Sequence, residues 1–204
     1  MTYTENILPF NQPHKPQPRA VNLVPRTRNQ ERLVLPLGSA SDHMVVTVGP
    51  AGTGKTYLAL VLGLWPSNKK VIDIPLLKYT VATGEGEGER RVKVVGKDDP
   101  NGQRAITLVR VARTVGPYTL LEVTIKTGRT HQIRVHLASQ GHPIAGDDKY
   151  GDFEHNKQLQ KLGLKRMFLH AWQLKFQHPV SARPVTVKSP LPAALQQFID
   201  SVQP

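Results

Sequence analysis

Gly49-Pro50-Ala51-Gly52-Thr53-Gly54-Lys55-Thr56 has the residue types and spacing of a loop that cradles phosphate, and it follows the apolar run Met44 to Val48 as such a loop follows a strand. Backbone donors of the glycines would hold the phosphates, Lys55 would add charge and Thr56 a magnesium ligand. That chemistry would be nucleotide binding, with ATP and magnesium as cofactors; it is the alternative to the main reading, which expects no cofactor. A second cluster lies at Gly128-Arg129-Thr130-His131-Gln132-Ile133-Arg134-Val135-His136. Gly128 can supply a conformation barred to other residues, letting the chain leave a strand and enter a helix near His131. Arg134 then sits in the first turns, where an isolated arginine suits a phosphate contact or an ion pair. His131 and His136 are five apart, which does not put both on one helical face, and no acidic third ligand is evident. No metal site is expected. His142, His170 and His178 read as capping or core-packing residues, since a histidine without a paired base or nucleophile does no chemistry.

The elements that must position these groups follow from periodicity. Residues 1 to about 40 hold Pro9, Pro13, Pro16, Pro18, Pro25 and Pro36 without a sustained apolar period, an arm or linker. From residue 90, Arg91 to Val95, Ala105 to Val111 and Tyr118 to Ile125 alternate as antiparallel strands. Asp98-Asp99-Pro100-Asn101-Gly102 and Val115-Gly116-Pro117 have turn chemistry, so the local prediction is a β-meander. Helices are expected from about His131 to Gln140 and from Asn156 to Leu162. Strands at Met167 to Phe176 and Pro184 to Lys188 then precede a last helix, Pro192 to Val202. The fold class is α+β, a mixed, mainly antiparallel sheet with flanking helices, preceded by the Pro-rich arm. Gly84 to Glu89, alternating glycine and acid, reads as a solvated loop.

The chain has 204 residues, a net charge of +12 and no cysteine. Disulfides and thiolate metal sites are thereby excluded. The basic balance favours a polyanion, nucleic acid before membrane. Neither a membrane-spanning stretch nor a signal peptide is visible, and a cytoplasmic protein is expected. The excess sits downstream: residues 55 to 204 carry 22 Lys and Arg against 12 Asp and Glu, residues 1 to 54 five against three.

The Gly128 to His136 block continues in order through Gly141-His142-Pro143-Ile144-Ala145-Gly146-Asp147-Asp148-Lys149-Tyr150-Gly151, Arg166-Met167-Phe168-Leu169-His170-Ala171 and Phe176-Gln177-His178-Pro179. With Tyr57 to Pro66 and Pro75-Leu76-Leu77-Lys78 upstream, residues 55 to 204 resemble the RluA/RluC family of ribosomal RNA pseudouridine synthases, RluC-like members in particular. The resemblance implies an isomerase that turns uridine into pseudouridine. It implies a tyrosine, here Tyr57, that stacks on the target uracil, and an arginine, here Arg134, that pairs with a catalytic aspartate. It also implies RNA contacts from Arg129, His131, Gln132, Lys149 and Arg166. The family's aspartate block, similar to His-Arg-Leu-Asp, has no counterpart; in the matching interval the only aspartate is Asp42. The expectation is a supporting pocket without its nucleophile, binding RNA but catalytically defective.

Residues 20 to 59 resemble the start of PhoH-like ATPases instead, from Asn22 to Leu35, with Gln30 in a nucleotide-contacting segment, and from Val48 to Ala59. The nucleotide site would comprise Gln30, Gly49, Gly52, Gly54, Lys55 and Thr56. The two texts share Lys55 to Leu60, so the chain reads as a chimera: 1 to 54 a PhoH-like segment, partly linker, and 55 to 204 part of a synthase domain. An ATP-binding module and a fusion without selected activity are the alternatives. They diverge at Tyr57 to Val61, a strand in the synthase reading and a helix in the ATPase reading.

Overall fold

The computed structural model describes residues 54–82, 88–177 and 182–202, all within one compact unit, Gly49–Pro204. Its centre is the segment in dispute. Gly54–Leu62 is a strand, β1, hydrogen-bonded on both sides. Leucine, alanine and valine leave the choice of helix or strand open, and the neighbouring strands decide it.

The remaining strands are β2 (Val71–Asp73), β3 (Leu76–Val81), β4 (Glu89–Val94), β5 (Ile106–Val115), β6 (Tyr118–Ile125), β7 (Leu169–Gln177) and β8 (Pro184–Lys188); the helices are α1 (Gln132–Ser139), α2 (Phe153–Lys161) and α3 (Ala193–Val202). Six strands form an antiparallel sheet in the order β2-β5-β6-β1-β7-β8. β3 and β4 form a separate two-stranded ribbon.

The expected meander is therefore corrected. β5 and β6 are a hairpin closed at Gly116, whose φ of 53° few other residues tolerate, but β4 pairs with β3 and not with β5. The turn at Asp98 to Gly102 connects two sheets. Leu76 lies opposite Gln103, with backbone bonds in both directions, and this holds the ribbon against the chain entering β5.

Alternation along β1 sorts the core into two layers. Tyr57, Ala59 and Val61 face a cluster that includes Val109, Leu121 and Val123 from the sheet and Ile133 and Leu137 from α1. Leu60, with Leu58 and Leu62 partly buried beside it, faces the other cluster, where Leu159 of α2 and Leu195, Phe198 and Ile199 of α3 pack with Phe168. One face of the sheet carries α1, the other α2 and α3. A third cluster, Leu76, Val92, Ala105 and Val135, fastens the ribbon to α1.

α2 starts three residues earlier than its apolar pattern indicated. Asp152 caps it, its carboxylate accepting from the His155 N–H at 2.9 Å.

Candidate functional site

α1 has no single apolar face, because each of its sides meets a different neighbour. Ile133 and Leu137, four apart, pack on the sheet, and Val135 packs on the ribbon. Gln132 and His136, again four apart, are turned to β5 and the link after β2. Arg134 faces the loop from Asp147 to Tyr150.

The helix is entered through a strained residue. His131 has a φ of 52°, uncommon for a residue other than glycine although histidine is among those that adopt it more often, and Tyr150 lies against it with its hydroxyl 2.9 Å from Nδ1 and its ring edge-on at 5.5 Å. The Tyr150 oxygen also accepts from the Val92 N–H at 3.0 Å. Burial lowers the His131 pKa first, and the charges of Arg134 and Lys149 lower it further.

Gln132 is buried and fully committed. Its Oε1 accepts from the Thr127 hydroxyl at 2.8 Å and the Arg129 N–H at 3.0 Å; its Nε2 donates to the Ile106 carbonyl and to Thr107 Oγ1, both at 3.0 Å. The protons of this network can be assigned by elimination. His136 Nε2 lies 2.9 Å from the Ile74 carbonyl, which can only accept, so Nε2 carries the proton and Nδ1 is the acceptor. The Thr107 hydroxyl, 2.8 Å away, then donates to Nδ1 while accepting from Gln132. The buried chain from Gln132 through Thr107 and His136 to Ile74 leaves no partner unmade, and burial holds the His136 pKa below its ordinary 6.5.

Arg134 is clamped. Its Nε donates to Asp147 Oδ2 at 2.8 Å and a terminal nitrogen to Oδ1 at 2.6 Å, a two-point pair, with Asp148 accepting a further bond at 3.1 Å. The guanidinium carbon lies 5.1 Å from the centre of the Tyr150 ring. Asp147 Oδ1 also accepts from the Lys149 and Tyr150 N–H groups, both at 2.9 Å. The Asp147 side chain is 1% exposed, that of Asp148 93%. Burial raises the Asp147 pKa, but Arg134 and the two backbone donors outweigh it and leave the carboxyl below the ordinary range.

These contacts sort the expected site residues. Tyr57 and Arg134 stand on adjoining elements: Tyr57 is 8% exposed in the same apolar cluster as Ile133 and Leu137, and burial raises its pKa. Gln132, expected to contact RNA, spends both its amide N–H bonds and its oxygen on partners within the chain. Lys149 is largely spent as well, donating to the Arg90 carbonyl at 2.9 Å and pairing with Glu89 at 2.6 Å. Arg129 is anchored through Nε to the Arg104 carbonyl, and it and Arg166 keep solvent-facing surface. Lys55 and Thr56 lie within β1, Thr56 Oγ1 being 3.1 Å from Thr124 Oγ1, so no helix begins at the phosphate-loop lysine. Gly54 opens the same strand, while Gln30, Gly49 and Gly52 lie outside the described residues.

Asp147 and Tyr150 had no role assigned from sequence, although Gly146-Asp147-x-x-Tyr150-Gly151 was visible as a block. Its spacing could have pointed to them, since a carboxylate two and three residues before free N–H groups closes an Asx-type turn. The histidines behave as expected: His142 Nδ1 donates to the Leu62 carbonyl at 2.8 Å beside Trp65, and buried His170 bonds the Ser189 carbonyl at 3.1 Å. His178 lies outside the described residues, which hold no group of three potential metal ligands.

The mainly antiparallel sheet, with α1 on one face and α2 and α3 on the other, matches a pseudouridine synthase fold. Residues 49–139 match the family model described as RNA pseudouridylate synthase. Two solved structures agree: human RNA pseudouridylate synthase domain containing 1, with a TM-score of 0.52 at 27% identity over 69% of this chain and 55% of that one, and domain containing 4, with 0.55 at 26% over 74% and 62%. Among curated proteins the chain is similar to ribosomal large subunit pseudouridine synthase C. The identity is 35% over 192 residues with that of Vibrio cholerae (93% of this chain, 58% of the relative) and 44% over 145 residues with that of Yersinia pestis (71% and 43%). With that of Salmonella typhimurium it is 39% over 190 residues (91% and 57%). The chain thus spans about half the length of the curated relatives it matches.

Proposed function

We propose that these residues form the RNA-holding part of a ribosomal RNA pseudouridine synthase site, and that the 204 residues alone do not isomerise uridine. The observation that carries this reading is the state of the carboxylate gripped by Arg134. Asp147 accepts four hydrogen bonds, is buried and is held ionised, so its lone pairs are spent on structure rather than available to attack a sugar or base. Asp148 is the other carboxylate touching Arg134, and it stands in open solvent with nothing to orient it but that single bond. Arg134 and Tyr57 keep positioning roles. Arg129 and Arg166 offer charge to phosphate.

A PhoH-like segment within residues 1 to 54 stays part of the proposal on its sequence likeness alone, since the match to synthase C of Vibrio cholerae covers 93% of the chain and so extends into those residues. The placement of Lys55 and Thr56 in a central strand does not favour nucleotide binding by that segment.

The purified chain should bind ribosomal RNA fragments with an affinity that falls steeply between 50 and 200 mM salt, since each neutralised phosphate contributes about −0.7 to −0.9 to the log–log slope. Filter binding across salt concentrations checks this. Affinity indifferent to salt, or no binding at 50 mM, contradicts the RNA reading, and ATP competing the RNA off would favour the nucleotide module.

A further inference from the structure

The sheet carries a feature that the Tyr57 and Arg134 site does not use. Between Glu154 and Asp200 the sequence has no acidic residue and seven Lys and Arg, a far stronger bias than the whole chain's 27 against 15. β7 and β8, the outermost strands of one side of the sheet, lie within this stretch.

The pairing of β1 with β7 slips by one residue inside it. Thr56 lies opposite Gln173 and Tyr57 opposite Ala171, which leaves Trp172 as the unpaired extra residue, a β-bulge. Bulges re-aim a side chain and recur next to functional sites. Across β8, Gln173 lies opposite Lys188 and Lys175 opposite Thr186. Gly54, Thr56, Gln173, Lys175, Thr186 and Lys188 therefore share one sheet face, the face turned away from Tyr57 and α1. Lys188 holds its ammonium 5.4 Å from the centre of the Trp172 ring. Lys175 and Lys188 are exposed, and Trp172 is half-buried. Glu122, which lies opposite Leu58 and so on this face, is paired with Arg110.

We infer that this face is a second RNA-docking platform, on which Trp172 stacks a single-stranded base while Lys175 and Lys188 contact the flanking phosphates. A π face with the Lys188 ammonium against it and Lys175 on the same sheet face suits an unpaired nucleotide better than a protein surface or a duplex. Stacking does not require a particular base, so the platform would hold the strand beside the target rather than select the uridine. The inference rests on the RNA reading given above.

Tryptophan emission supplies a readout independent of activity. Trp65 is 6% exposed and bonded through Nε1 to the Lys69 carbonyl, so quenching by added RNA reports mainly on Trp172. The probe is a fluorescein-labelled, unstructured 20-nucleotide RNA of mixed sequence, followed by anisotropy and, unlabelled, by quenching. The parent chain should be quenched on binding, Trp172→Phe should retain most affinity, and Trp172→Ala should lose about 5- to 150-fold, the range for one base stack. Lys175→Gln with Lys188→Gln should reduce the salt slope by about 1.4, at about 0.7 per cation on single strands. Thermal melts of each variant identify any loss due to unfolding, in which case the double lysine variant, altered only at exposed side chains, decides. Unquenched emission with unchanged affinity and slope in the variants, while the parent binds, overturns the platform alone. A parent that binds no RNA overturns the RNA reading and the platform together.

Discussion

Replacing Asp147 with alanine should destabilise the protein by about 3–5 kcal/mol, the usual consequence of removing one partner from a buried ion pair. Arg134 would keep its charge in a site where its side chain is 15% exposed, with only the exposed Asp148 to answer it, and the Lys149 and Tyr150 N–H groups would lose their common acceptor. The loop would no longer hold Tyr150 against His131, and the helix entry at φ 52° would lose its support. Urea unfolding checks the magnitude. The pH dependence gives an independent sign: a carboxyl whose folded pKa lies below its ordinary 3.8 contributes stability that is present above that value and lost as pH falls through it toward the folded pKa. The parent should therefore lose stability below about pH 4 more steeply than Asp147→Ala. A variant within 1 kcal/mol of the parent, with the same acid limb, would show that the clamp does not hold this site together.

Thr107→Val should be nearly as damaging, although it exchanges side chains of similar shape. The hydroxyl is a link between two buried groups, and without it Gln132 Nε2 loses an acceptor and His136 Nδ1 a donor. Each stranded group costs about 1–3 kcal/mol, so the change should cost about 2–6 kcal/mol, where an exposed Thr→Val would cost little. The same network predicts a second pH effect at a different place. His136 and His131 both have folded pKa values below 6.5, so the unfolded chain binds more protons as pH falls past 6.5. Stability should be full above that pH and decline between it and the folded pKa values. Melting at pH 7.5 and 5.5 measures this, and a parent equally stable at both would contradict the neutral assignment of His136.

How much of this could be read from the residues depended on how local the deciding contacts are. β6 and β8 show clean alternation bounded by turn residues, and the structure places them at Tyr118–Ile125 and Pro184–Lys188 as expected. The end of the β5–β6 hairpin was legible because Gly116 is required there. β3 was not recognised as a strand, since Pro75, Lys78 and Tyr79 break its apolar run, and its partner was consequently assigned to the wrong neighbour. α1 was located by its start and stop signals rather than by an apolar stripe; its four sides meet four different environments, and no periodicity expresses that. The arginine of the site was legible as a residue type, but its partner lies 13 positions away across a loop. Such a contact follows from the fold. The bulge at Trp172 is equally invisible, because one extra residue in β7 alters pairing without altering composition.

The proposal that these 204 residues alone do not isomerise uridine can be tested directly. The direct measurement is to incubate the purified chain with ribosomal RNA and map pseudouridine chemically. A second chain, whose residues 1 to 54 are replaced by a synthase segment containing the aspartate block, is tested beside it. The proposal predicts no pseudouridine from the chain as it stands and site-specific pseudouridine from the repaired one, since it gives Tyr57 and Arg134 positioning roles and has the added aspartate supply the attacking carboxylate. Pseudouridine formed by the unrepaired chain would contradict the account and turn attention to Asp42, to Asp73 on the sheet edge, and to Asp148 beside Arg134.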